Sequence, residues 1–198
     1  MVADGIIWSL IVGFFRKGNL KWLAEKKLFK WGWIFPVIFI LQFTVFYFQN
    51  AIEFIGSISN YLFIFVYIIG LIFLWVNRFQ YGISIIFLGV LLNFIVMIVN
   101  GGRMPVSEEA ANVLDPMYIQ ALKDGLYGKH MILTETTKLA FLGDIIPITS
   151  PYPKSQVISI GDVIMNIGIF LFIQDKMLYR KKSEKESTKV RNLQGGEV

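Results

Sequence analysis

Four long apolar runs, 31–48, 61–76, 81–99 and 157–174, leave this chain few ways to fold. Segments of that length and so little charge read as helices solvated by lipid rather than as the core of a protein of 198 residues. Trp31 to Phe48 carries no charge, with Trp31 and Trp33 at one end and Tyr47 near the other, as in interfacial belts. Pro36 lies in its first turns, where proline does least harm. A connector with Glu53 and Gly56 follows, and Asn77-Arg78-Phe79-Gln80 tightly links the next two runs. A fifth run, 2–15, stands before a basic cluster, the reverse of signal-peptide order, and reads as a short first membrane helix. Composition agrees: 55% of residues are hydrophobic and 17% charged. There is no cysteine, which excludes a disulfide framework and a thiolate nucleophile or metal ligand.

The net charge of +5 is not spread as a nucleic-acid binder would spread it. Arg16, Lys17, Lys21, Lys26, Lys27 and Lys30 crowd a stretch where Leu20, Leu23, Ala24 and Leu28 recur at helical spacing. That pattern suits an amphipathic helix over 19–30 lying on an anionic membrane face. Residues 179–198 are charged, almost without apolar content, and read as a disordered tail. With five membrane helices, 5 of the 19 Lys and Arg fall on one side (Arg103, Lys123, Lys129, Lys138 and Lys154) and the rest on the other. The tail is therefore expected in the cytoplasm and the long polar interval 100–156 outside. Within that interval Ser107-Glu108-Glu109 and Asp115-Pro116 read as helix starts, and Gly125 and Gly128 as a helix end. The expected fold is all-α and integral to the membrane. It has four to five spanning helices in one domain, 1–178, with a short-helix insertion on the outer side. Whether 131–148 lies on the membrane, re-enters it or packs on the bundle is open in the pattern.

Polar residues inside apolar runs mark the candidates for chemistry. Asp162 lies a few residues into the last run, where an ionisable group is a functional-site hypothesis, with Asn166 one turn on. The alternative is that Asp162 caps a helix beginning near Ser159 or Gly161. Asp144 stands in a similar Gly-Asp-aliphatic context and is its natural partner. Two carboxylates in a low-dielectric site split their proton affinities into one acid and one base. The alternative for Asp144 is a turn-forming Gly-Asp before Pro147. Asn93 and Asn100 share a helix face with Met97 and line one cleft with Asp162 and Asn166, or else bond helix to helix. Gly101-Gly102-Arg103 offers close backbone approach and a guanidinium for a phosphate or carboxylate, or a glycine C-cap followed by an interfacial arginine. His130 is the one histidine, and with no cysteine a zinc site is not expected. No Gly-x-Ser-x-Gly elbow is present.

Two resemblances rest on these residues. Gly13-Phe14-Phe15-Arg16-Lys17-Gly18-Asn19-Leu20, Asn100-Gly101-Gly102-Arg103-Met104-Pro105-Val106-Ser107, Leu142-Gly143-Asp144-Ile145-Ile146-Pro147 and Ser159-Ile160-Gly161-Asp162-Val163 together resemble a family of uncharacterised bacterial multi-pass membrane proteins (domain of unknown function 5317). That resemblance implies the bacterial cytoplasmic membrane and no particular activity. Residues 142–173 are also similar to the C-terminal region of lipoprotein signal peptidases. There Asp162 matches a catalytic position, although Ile158-Ser159-Ile160-Gly161 replaces the Phe-Asn-x-Ala residues before it. The sequence supports first a structural or accessory membrane protein with an outward polar cleft, its partners being membrane lipids, with no cofactor. An aspartate-dependent membrane hydrolase or a binder of a lipid-linked anion is the alternative, and a small transporter the second.

Overall fold

The computed structural model describes residues 2–23, 28–125 and 128–194, with the side chains of 4–21, 23, 28–125 and 128–178. The chain is mostly helical: α1 (Val2–Phe15), α2 (Ile34–Phe48), α3 (Glu53–Val76), α4 (Ile83–Val99), α5 (Glu108–Ala111), α6 (Pro116–Lys123) and α7 (Ile160–Gln194). Among the described residues α3 alone is long and apolar enough to cross a membrane by length and composition. The helices α1, α2 and α4 are apolar but shorter, and in α7 Asp162, Asp175 and Lys176 interrupt the apolar stretch.

Helix boundaries depart from the hydropathy pattern for local reasons. The helix α3 begins at Glu53 rather than near 61. Ser57 and Ser59 hydroxyls donate to the Phe54 and Gly56 carbonyls, both at 2.8 Å, so these polar residues are absorbed within a helix. The helix α2 starts at Ile34 because Trp31 takes a left-handed backbone, φ 59°. The expected interfacial helix over 19–30 is, where described, a single 3-10 turn at Leu20–Trp22; Lys26 and Lys27 lie outside the described residues. Beyond the expected span end at 174, α7 runs on to Gln194 through residues rich in the good helix formers Lys, Glu and Arg.

The helices pack in the order α2, α3, α4, α7, α1. Two pairs of glycines set the closest crossing. Gly82 and Gly89 on α4 face Gly168 and Gly161 on α7, so backbone meets backbone. A Cβ on Gly89 would stand 2.6 Å from the Met165 nitrogen, and one on Gly168 would stand 2.6 Å from the Ile86 nitrogen. Glycines at such a crossing have no Cβ to hold the two backbones apart. On the other flank of α7, Gln174 donates to the Ser9 carbonyl at 2.6 Å and accepts from Arg16 at 2.9 Å, tying α1 down.

Polar side chains close the two ends of the bundle. At one end Asn77 donates to the Lys30 carbonyl and accepts from its nitrogen, and Gln80 donates to the Leu28 carbonyl. Phe29 fills the space above them, stacked on Phe172 with centroids 5.2 Å apart and tilted on Phe73 at 5.5 Å. At the other end sits the cap, residues 100–159. It contains the expected short helices α5 and α6, capped by Ser107 and Asp115 as read from sequence. It also contains four strands that an all-α expectation lacks: β1 (Met104–Val106) parallel to β2 (His130–Ile132), and β3 (Ile146–Ile148) antiparallel to β4 (Gln156–Ile158). Each strand is three residues long, too short for period-two alternation to register. Residues 131–148 therefore pack on the bundle as β2, a 3-10 turn and β3.

Candidate functional site

The end of α4 anchors the cap. Asn100 takes the helix C-cap, and Gly102 donates to the Met97 carbonyl at 2.8 Å, five residues back, as in a Schellman motif. The left-handed Gly101 and Gly102 (φ 69° and 85°) make that turn possible, and Gly102 lies flush against Asn60 of α3. Asn60 in turn donates to the Gly101 carbonyl at 2.9 Å. The Asn100 amide pairs with both backbone groups of Lys138, at 2.8 and 3.0 Å. Asn100, Gly101 and Gly102, candidate ligand-binding residues in the sequence, are thus committed to holding the cap on α4. Arg103 is half-buried and is not among the residues lining the cavity described next.

That cavity, about 470 Å³, lies between the cap and α2, α3, α4 and α7. It brings together Asp144, Asp162 and Asn93, three of the sequence candidates, with Lys129 and His130, which were not expected to join them. Five backbone contacts fix these side chains. Gln49, buried at the end of α2, accepts from the Gly128 nitrogen at 3.1 Å, and the Lys129 carbonyl accepts from Met104 at 2.7 Å. Lys129 therefore enters the cavity from a pinned turn, its ammonium 5.6 Å from the centre of the Tyr67 ring. The Asp144 nitrogen donates to the Pro105 carbonyl at 2.8 Å, and its own carbonyl accepts from Ser107 at 3.0 Å. The Ile145 nitrogen bonds Ile158 at 3.2 Å. Asp144 is thus held at the seam between β1 and the β3–β4 hairpin, 7% exposed.

Asp162 occupies the third position of α7 and forms a reciprocal capping box with Ser159. Its nitrogen donates to the Ser159 hydroxyl at 3.0 Å, and its Oδ2 accepts from the Ser159 nitrogen at 3.2 Å. Its Oδ1 accepts from Asn93 Nδ2 at 3.0 Å, while Asn93 Oδ1 accepts from the buried Ser159 hydroxyl at 2.8 Å. Asp162 thus caps its helix, as one of its sequence readings has it, and also lines the cavity. Asn166 parts from the group. Its amide donates to the Asp162 carbonyl at 2.8 Å, but its side chain lies against Gly5 of α1, on the far flank of α7. The expected single cleft of Asn93, Asn100, Asp162 and Asn166 is therefore reduced to Asn93 and Asp162.

Charge inside the cavity is interdependent. Burial, and after it the Asp162 charge, pushes the Asp144 carboxyl up to about 7, with Lys129 acting the other way. His130 Nε2 stands 3.7 Å from Asp144 Oδ2. Burial and the neighbouring Lys129 charge bring its imidazole down to about 3, so near neutrality this is a neutral ring beside a carboxyl rather than an ion pair. Lys129 itself is raised, by Tyr67 first and by Asp144 and Asp162 in addition, against the cost of burial. It stays charged beside two carboxyls that share its field. Among the described residues no group of three or more His, Asp or Glu side chains is placed to hold a metal ion.

Lys129 was hidden in the sequence. It stands alone between Gly128 and His130 in a polar interval, where a lysine normally faces water, and no periodicity marks it. Its placement depends on Gln49, far away in sequence.

The profile of DUF5317, a family of unknown function, matches residues 26–174. An uncharacterized protein of Thermotoga maritima is 31% identical over 172 residues, which span 87% of this chain and 89% of that relative. No solved structure matches. Neither match is described as a peptidase, so the likeness of 142–173 to lipoprotein signal peptidases gains nothing from them. The family match takes in every residue that lines the cavity, and the chain belongs to the DUF5317 family of unknown function.

Proposed function

We propose that this protein is a multi-pass membrane hydrolase whose paired aspartates, Asp144 and Asp162, act at the capped outer end of a helical bundle. The observation that carries the proposal is their convergence, with Lys129, on one cavity that opens beside apolar helix faces. Support for the membrane comes from the surface. Phe39, Phe43 and Phe65 on α2 and α3 are 66%, 60% and 53% exposed, within a continuous apolar surface that water would not tolerate. Exposed Trp31, Trp33, Trp75 and Tyr81 ring the end away from the cap, and exposed Tyr47 and Tyr61 lie at the cap end, as interfacial belts require. Five helices, α1 to α4 and the first half of α7, then span a thinned bilayer, with α2 about 22 Å and α4 about 25 Å long. The Lys and Arg balance supports an orientation with the cap outside and the C-terminus in the cytoplasm.

The chemistry follows from unequal carboxyls. Asp162, whose two oxygens accept hydrogen bonds from Asn93 and Ser159, is the base that takes a proton from water. Asp144, held protonated by burial and by its neighbour, donates to the departing atom. Water adds across the bond, its hydroxyl going to the acyl carbon and a proton to the leaving group. Lys129 faces the oxyanion that forms between. Transport is the weaker reading, because Phe29, Phe73 and Phe172 pack together at the opposite end of the bundle.

Extracts of cells expressing the wild type, Asp144→Asn or Asp162→Asn, compared by mass spectrometry of lipids and membrane peptides, test the proposal. A product that accumulates with the wild type and with neither variant, at equal protein in the membrane, supports it. Indistinguishable extracts return the chain to an accessory or scaffold role.

A further inference from the structure

The cavity is built in two tiers. Four helices each contribute a polar residue near the cap and an apolar or missing side chain a turn deeper: Gln42 then Ile38 on α2, Tyr67 then Gly70 on α3, Asn93 then Val90 on α4, Asp162 then Met165 on α7, with Val66 of α3 a further apolar residue beside Tyr67. The direction is common to all four. Gln49 at the end of α2, Asn60 in the early turns of α3, Asn100 at the end of α4 and Ser159 at the start of α7 all bond cap or cap-end groups. A void that is polar at the carboxyls and apolar about 5 Å further in matches an amphiphile lying along the helices.

Gly70 sharpens this. The helix glycines at 82, 89, 161 and 168 are pressed against neighbouring backbone, whereas a Cβ on Gly70 would meet nothing within 4 Å. A glycine inside a helix costs roughly 0.5–1 kcal/mol relative to alanine, and here no close packing offsets it. Its missing side chain is cavity space. Packing is thinnest at one side of the cavity. The helix α2 packs on α3, and α7 packs on α4 and α1; among the described residues no comparable packing joins α2 to α7, although both line the cavity.

On the hydrolytic reading of Asp144 and Asp162, we infer that the substrate is a single-chain lipid ester or amide with an uncharged head, admitted sideways between α2 and α7, its first methylenes lying against Ile38, Gly70, Val90 and Met165. One chain is set by volume, since about 470 Å³ is the size of an ordinary small-ligand pocket. An uncharged head fits a lining of mixed sign, in which the Lys129 ammonium shares the cavity with the Asp144 and Asp162 carboxyls. Arg103, the residue the sequence offered for an anion, is not among the cavity's lining.

A monoacylglycerol carrying a mid-chain diazirine, photolysed with the protein in phosphatidylcholine nanodiscs, provides the test. Labels should map to the cavity faces of α2, α4 and α7 and be displaced by unlabelled monoacylglycerol. Gly70→Leu from one wall and Ile38→Trp from the other should each lower labelling about tenfold, as side chains take the methylene positions. Ile72→Trp, on the exposed face of α3 at 49% exposure, should leave it unchanged. Labels confined to the outer apolar surface, or indifferent to both filling variants, overturn the inference. Displaceable cavity labelling together with unchanged lipid extracts would remove the hydrolysis and leave the chain site standing.

Discussion

Replacing Asp144 by asparagine should alter the pH dependence of stability in a direction its surroundings dictate. Burial, then the Asp162 charge, holds this carboxyl at about 7 against an ordinary value of 3.8. A carboxyl raised in the folded state binds its proton more tightly there, so it stabilises the fold below its unfolded value and loses that contribution as pH rises through about 7. At about 1.4 kcal/mol per pH unit, the interval amounts to roughly 4 kcal/mol at most. Asparagine keeps the shape of the neutral acid and does not ionise. Relative to the wild type, the variant should therefore gain nothing near the ordinary carboxyl value and gain progressively above it, levelling off past neutrality. His130 works in the opposite sense. Its imidazole is lowered to about 3, so its contribution is present above 6.5 and lost as pH falls toward 3. That side chain is 31% exposed, which weakens the effect, and it is common to both proteins, so it largely cancels in the difference. Thermal unfolding of detergent-purified protein, followed by tryptophan fluorescence across this range, measures the difference. A wild-type-minus-variant gap that stays constant with pH would refute the reasoning.

Other substitutions probe the frame of the site. Gly161→Leu places a Cβ on the Asn93 amide and 2.6 Å from the Gly89 carbonyl; a loss of at least about 1–3 kcal/mol should appear as a lower monodisperse yield on size exclusion. Asn93→Leu removes the donor to Asp162 and the acceptor for the Ser159 hydroxyl, and should lower unfolding free energy by about 2–3 kcal/mol in a denaturant titration. Lys129→Met removes a charge that opposes the upward shift of Asp144, so the midpoint of the stability-versus-pH curve should move above its wild-type position; a downward move would contradict the assignment.

Much of the frame was legible because it is written in long patterns. Apolar runs locate the helices, and Ser107 and Asp115 announce helix starts that the structure keeps. Asp144 and Asp162 could be paired on paper because both interrupt aliphatic sequence, an expensive place for a carboxylate. Asn100, Gly101 and Gly102 were ambiguous for a physical reason: a Schellman turn and an anion cradle use the same residues, and only the bonds to Met97, Asn60 and Lys138 decide between them. Asn166 misled because one turn of helix also rotates about 40°, enough to carry it from the cavity to the α1 flank. The short strands and Lys129 could not be read. Their positions are fixed by pairing between distant segments, Met104 with His130 and Gln49 with Gly128, which leaves no local trace.

The central claim is that Asp144 and Asp162 form one unequal pair. Infrared difference spectra of the protonated carboxyl band, recorded through a pH titration of the wild type and both asparagine variants, address it directly. The account predicts one buried carboxyl titrating near 7, absent in Asp144→Asn and shifted to lower pH in Asp162→Asn, where the neighbouring charge that raises it is gone. A band that survives in Asp144→Asn, or keeps its midpoint in Asp162→Asn, would contradict the pairing.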